Sequence, residues 1–263
     1  MRLASHTWGP DTGPAALLVH GAIDAWTTWV DVGPWLADRG WHAIAVDLRG
    51  HGDSQIDSAD LDRSVSTMAA DLLETVAVIR PDVQAVDLLV GHSLGAVVAL
   101  VSASVHPEFV RGLVLEDPPG SSVKVGRPVG WLRDLIEAAR ADPEALLQAA
   151  LEKKPKTSLD HLRTKVGAIA ATDSDYVSEV AKRAPDVIEL AERCTVPTLA
   201  LLGRDERGAS VMIGADRVQF GEALRAGTVI ALDDCGHGAH LENFDCFVAH
   251  IADWLAAEGV AAT

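Results

Sequence analysis

Val90-Gly91-His92-Ser93-Leu94-Gly95 stands where an apolar strand pattern, Asp87–Val90, gives way to a helical one, Leu94–Val105. Short apolar runs of the first kind recur at Ala15–Val19, His42–Val46, Gly112–Leu115, Thr198–Leu202 and Thr228–Leu232. Between them, Trp26–Asp38, Ser66–Ile79 and Leu241–Leu255 carry apolar residues at helical spacing. Strands that are apolar throughout and alternate with helices predict a mostly parallel, doubly wound sheet with helices on both faces, an α/β fold.

The alternation stops between Pro118 and Pro197, where Trp131–Arg140, Pro143–Lys153, Asp160–Ala170 and Asp175–Lys182 follow one another as helical patterns without a strand. A helical insertion is expected over 119–196, within a core made of 1–118 and 197–263. Charge follows the same division. All six lysines fall between Lys124 and Lys182, and the insertion is electrically neutral, so the core holds the whole net charge of −16.

With 263 residues, 48% of them hydrophobic, the chain is long enough for a large core without disulfides. Its acidic balance argues against nucleic acid or an anionic membrane as partner, since both are bound through clustered Lys and Arg. A small-molecule ligand is expected, with the chain a monomer or homodimer. Cys194, Cys235 and Cys246 are odd in number and lack C-x-x-C spacing, so no metal is called for and the cysteines read as core residues. The first residues lack a signal-peptide pattern and no apolar run approaches the ~20 residues that cross a bilayer, which makes the cytoplasm the expected compartment.

G-x-S-x-G in a strand–turn–helix setting has a chemical reading. A sharp turn lifts the Ser93 hydroxyl off the sheet, and the flanking glycines permit the tight backbone and close helix packing. Three further segments agree with it: Leu18-Val19-His20-Gly21-Ala22, Asp47-Leu48-Arg49-Gly50-His51-Gly52-Asp53-Ser54 and Gly236-His237-Gly238-Ala239-His240-Leu241-Glu242. Together they resemble the α/β-hydrolase superfamily over roughly residues 10–117 and 197–258. The insertion matches that family's helical cap in position alone.

The resemblance implies a nucleophile, an acid and a histidine in that chain order. Ser93 fills the first place. Serine is a weak nucleophile until an imidazole takes its proton, and His237, in a Gly-flanked loop after the last strand, is the histidine suited to do so. His20 is expected to organise the loop before it, and His51 and His240 to make structural hydrogen bonds. For the acid, Leu202-Gly203-Arg204-Asp205-Glu206 offers two carboxylates. Glu206 stands at the family's usual distance from the strand-ending glycine, and Asp205 is the alternative. Asp117, where some members place their acid, reads instead as part of a strand-terminating turn with Pro118 and Pro119. The resemblance also implies an oxyanion hole from the amides of Ala22 and Leu94. Ile23, Trp26 and Trp131 are expected to line the substrate pocket, while Trp29 reads equally well as core. Lys153, Lys154 and Lys156 could attract an anionic substrate or form a solvated face.

These residues suit a cofactor-free serine hydrolase that cleaves a carboxylic ester, thioester or lactone through an acyl-enzyme. C–C bond hydrolysis, perhydrolysis or a lyase reaction could run on the same triad. A ligand-binding or receptor protein with little turnover is the alternative of another class.

Overall fold

The computed structural model describes residues 1–57, 62–120, 130–153, 157–206 and 208–260. Its strands are β1 (Ser5–Trp8), β2 (Ala15–Val19), β3 (His42–Val46), β4 (Leu88–His92), β5 (Leu113–Glu116), β6 (Thr198–Leu202) and β7 (Gly227–Ala231). They form one sheet in the order β1-β3-β2-β4-β5-β6-β7, parallel throughout except for β1, which runs antiparallel to β3. Six of the seven strands coincide closely with the apolar runs. β1 escaped prediction because it is an edge strand of polar and aromatic residues that lie largely in solvent.

Alternate residues of the central strands enter two different cores, as the two-residue period of a strand requires. Leu17, Val19, Ile44, Leu89, Leu115 and Leu202 face α2 (Val65–Ile79) and α3 (Leu94–Val105). Leu18, Ala45, Leu88, Val90, Val114 and Leu201 face α1 (Val32–Ala37) and the C-terminal α11 (Phe244–Glu258), whose Phe247, Ile251 and Trp254 fill that side. The expected helix over Trp26–Asp38 is a 3-10 turn, Trp26–Trp29, followed by α1. Pro34 within this short stretch cannot donate to a helix interior.

Between β5 and β6 the described chain forms α4 (Gly130–Ala141), α5 (Pro143–Lys153), α6 (Leu159–Ala170), α7 (Ser174–Arg183) and α8 (Val187–Arg193). Ser158, Asp173 and Asp186 cap α6, α7 and α8 by accepting from N–H groups of the first turn. Leu132 and Ile136 of α4, Ile169 of α6 and Tyr176 and Val180 of α7 belong to the same buried cluster as α2 and α3. The insertion thus shares its core with one face of the sheet. Leu147, Leu162 and Val166 form a small cluster of their own. After β6 come α9 (Gly214–Ala223) and, beyond β7, the short α10 (Ala239–Glu242).

Candidate active site

Ser93 separates β4 from α3 with φ 53° and ψ −117°. Among the described non-glycine residues only Ser93 and Asp117 have positive φ, a conformation that costs on the order of 1–3 kcal/mol and collects at functional sites. Glycine is required beside Ser93 because α3 sits so close to the sheet. A Cβ on Gly95 would lie 2.2 Å from the Val19 carbonyl oxygen, and one on Gly91 would lie 2.4 Å from the Gly95 oxygen.

Ser93 Oγ lies 3.0 Å from His237 Nε2, and His237 Nδ1 lies 2.6 Å from Asp117 Oδ2. The carboxylate that meets the imidazole therefore belongs to Asp117, just after β5, the strand beside β4. It is 1% exposed. Besides His237 it accepts from Val211 N–H at Oδ2 and from Ser210 Oγ–H and Gly203 N–H at Oδ1, a donor set that fixes the orientation of a buried carboxylate.

Glu206 and Asp205 lie elsewhere. The Glu206 side chain is 71% exposed and faces Arg204, while Asp205 Oδ1 accepts from the N–H of Gly214, the first residue of α9. The physical reason is the turn after β6. The Glu206 carbonyl accepts from Ala209 and Ser210 N–H, and this turn carries Ser210 and Val211 to Asp117 while its own acids point away. The loop expected to supply the acid instead supplies hydrogen-bond donors to Asp117.

Gly21 packs against the other side of the site, where a Cβ would lie 3.3 Å from Ser93 Cβ. His20 Nδ1 donates to the Gly21 carbonyl at 2.7 Å and its Nε2 accepts from Leu48 N–H at 2.9 Å. In a trans peptide the N–H points opposite to the C=O, so tying the Gly21 carbonyl to His20 aims the Ala22 N–H away from that ring. His51 Nε2 reaches the Ala22 carbonyl at 2.9 Å. Burial holds His20 and His51 in the neutral form, with pKa values below the usual histidine range.

His92, inside the motif, donates from Nε2 to the carbonyl of His237 at 2.9 Å, and burial pushes its pKa well down. His240 donates from its backbone N–H and from Nδ1 to Glu116, and its Nε2 meets Thr28 Oγ1 at 2.7 Å. His92, Glu116 and His240 come together closely enough to suggest a metal trio. Glu116 and His240 are hydrogen-bonded to each other, while His92 Nδ1 is buried without a hydrogen-bond partner. Burial raises the Cys235 thiol to about 11, unsuited to a nucleophile.

A cavity of about 560 Å³ opens over Ser93, His237 and the Ala22 and Leu94 positions, walled by Ile23, Val97, Trp131, Leu132 and Leu241 among others. Trp26, expected in the lining, stacks on His6 at 4.2 Å and leans on Trp8 instead. Its backbone N–H is held by Asp47 Oδ1, which anchors it to the scaffolding turn rather than to the cavity. Trp29 is fully buried against His240. Lys153 lies at the exposed end of α5, outside the lining, and Lys154 and Lys156 lie outside the described residues. The lysines that do line the cavity are Lys165 and Lys182.

A family model described as "Alpha/beta hydrolase family" matches residues 16–249. The chain belongs to that family. An uncharacterized protein of Mycobacterium tuberculosis is 41% identical over 109 residues, 41% of this chain and 30% of that protein. Protein phosphatase methylesterase 1 of Bos taurus is 33% identical over 176 residues, 64% of this chain and 41% of that protein. The chain thus spans well under half the length of these relatives. Among solved structures, E-2-(acetamidomethylene)succinate hydrolase superposes with a TM-score of 0.77 at 21% identity, over 97% of this chain and 95% of that one. That likeness is one of fold. Among the described residues no helix is long and apolar enough to cross a membrane.

Proposed function

We propose that the protein is a serine hydrolase acting on a carboxylic ester, thioester or lactone, with Ser93 as nucleophile, His237 as general base and acid, and Asp117 as the orienting carboxylate. The observation that carries this reading is the hydrogen-bonded chain from Asp117 through His237 to Ser93, at 2.6 and 3.0 Å, on the wall of an apolar cavity. Ser93 Oγ attacks the acyl carbon as His237 Nε2 takes its proton. The negative oxygen that forms is met by the N–H groups of Ala22 and Leu94, the second of which opens α3, where the helix dipole also favours negative charge. Nε2 then passes the proton to the departing alkoxide or thiolate; in the second half it takes a proton from water, the hydroxide attacks the acyl carbon, and Nε2 returns the proton to Ser93 Oγ as the acid leaves. The helices of 119–196 act as a cap, with Trp131 and Leu132 shielding the acyl group from solvent.

The matched methylesterase supports an ester as the scissile group. A fluorophosphonate probe tests the reading. Wild type is expected to label at Ser93 and Ser93→Ala to remain unlabelled. No labelling of wild type, or equal labelling of both, would overturn it.

A further inference from the structure

The cavity holds one feature that acyl transfer does not use. Lys165, on α6 of the insertion, reaches down to Asp24, two residues beyond Ala22, and forms a close ion pair with it. Both residues line the same cavity as Ser93. Asp24 is 3% exposed and Lys165 30%, so the carboxylate is buried in the wall while the lysine side chain, which lines the cavity, stays partly open to it. Among the described residues Asp24 is the one hydrogen-bond and ion-pair partner of the ammonium, so two of its three N–H donors have no protein acceptor there.

Filling the cavity decides what those donors need. A purely apolar acyl chain would strip water from them and give nothing back, which penalises binding because a desolvated charged donor without a partner is costly. A substrate carboxylate would accept from them and extend the pair into a row of carboxylate, ammonium and carboxylate. Charge distribution points the same way. The core around the site is acidic, and the insertion brings two lysines to the cavity wall, of which Lys182 is the more exposed, at 53% against 30% for Lys165. Lys165 is thus the cation placed inside. Its charge also reaches His20 and His92 beside the nucleophile and favours their neutral forms further, so it lies within electrostatic range of the reacting groups.

We infer that Lys165 is a specificity-determining residue that binds a carboxylate carried by the substrate, and that the preferred substrates are acid-bearing esters, thioesters or lactones, such as half-esters of small dicarboxylic acids. The inference rests on the hydrolase reading in taking this cavity as the acyl-binding site. Asp24 competes with a substrate carboxylate for the ammonium and repels that carboxylate by its own charge, so the two members of the pair act on anion binding with opposite signs. A mere latch between insertion and core would respond to loss of either member in the same direction.

That difference supplies the test. Glutarate is titrated calorimetrically into Ser93→Ala and into the same protein carrying Lys165→Met, Asp24→Asn or Lys153→Met. In parallel, kcat/KM is measured for mono-4-nitrophenyl glutarate and for 4-nitrophenyl pentanoate in proteins with Ser93 intact. A charge-assisted hydrogen bond sets the scale at about ten- to a hundredfold. Lys165→Met is expected to weaken glutarate binding by about tenfold or more and to lower the acid-to-neutral substrate ratio by a similar factor. Asp24→Asn should strengthen glutarate binding a few fold, and Lys153→Met, the same charge loss outside the cavity, should leave both readouts at the wild-type level. Absence of glutarate binding, equal binding with and without Lys165, or weakening by Asp24→Asn would overturn the inference. If Lys165→Met fails to fold, the sign of the Asp24→Asn effect decides. Fluorophosphonate labelling of Ser93 separates the two levels. Labelling with Lys165-indifferent glutarate binding sinks the anchor alone, whereas Lys165-dependent binding without labelling sinks the hydrolase reading alone.

Discussion

At the scale of single residues, the proposed catalysis turns on which atoms are held still. Asp117 carries no freedom, because four donors fix its carboxylate and one of them is the imidazole. Replacing it with Asn leaves the shape but offers an N–H where His237 Nδ1 needs an acceptor, which turns the ring to the wrong tautomer; such a change costs up to about 10⁴-fold in kcat. Asp117→Asn is therefore expected to lower kcat by about a thousandfold or more, and Glu206→Gln by less than about threefold, in steady-state turnover of a nitrophenyl ester. If Glu206→Gln proved the more damaging, the assignment of the acid would fall. His20 acts one step removed, through the Gly21 carbonyl it holds. His20→Phe keeps an aromatic ring, though a somewhat larger one, and loses that hydrogen bond along with the one accepted from Leu48 N–H, so the Ala22 N–H is no longer aimed. A fall in kcat of about ten- to a hundredfold with little change in KM is expected, smaller than outright loss of an oxyanion donor.

At the scale of elements, the close seating of α3 on the sheet explains both what the sequence reveals and what it hides. Gly91 and Gly95 are legible because G-x-S-x-G between a strand and a helix has one geometric use, and Ser93 and His237 fall together as that pattern implies. The carboxylate that meets His237 was obscured by a local coincidence. Asp205 and Glu206 follow a strand at the familiar spacing, whereas Asp117 precedes two prolines and looks like punctuation. The deciding facts, that β5 lies next to β4 and that the turn after β6 donates to Asp117, are tertiary. The Lys165–Asp24 pair was hidden for the same reason, since its partners lie far apart in the chain and on different layers. The close seating can be tested directly. Gly95→Ala pushes a methyl against the Val19 and His20 carbonyls and should cost at least about 2 kcal/mol in urea unfolding, with loss of Ser93 labelling. Gly221→Ala on α9 meets nothing within 4 Å and should be neutral or stabilising by up to about 1 kcal/mol.

At the scale of the whole molecule, the net charge of −16 divides along the same line as the architecture: an acidic sheet core and a neutral helical insertion whose apolar faces complete that core. The more consequential charges are those the fold suppresses. His20, His51 and His92 are buried around Ser93 and kept neutral by burial, with pKa values below the usual histidine range. In the unfolded chain each titrates near 6.5. Above that pH neither state binds the extra protons and the fold has its full stability. As pH falls below it, the unfolded chain takes up protons that the native state refuses, and stability declines until the native pKa values are reached. The carboxylates held low, Asp62, Asp82 and Glu179, lose their contribution only at far more acid pH, so the two windows do not overlap. Partial relief of the negative self-repulsion acts in the opposite direction and is weakened by salt. Urea midpoints at 0.15 M salt should therefore fall steadily from pH 7.5 to pH 5.5, with Tm falling in parallel. A flat profile across that interval would mean that the three histidines are not excluded from protonation in the native state, and that the scaffold around Ser93 is looser than its hydrogen bonds imply.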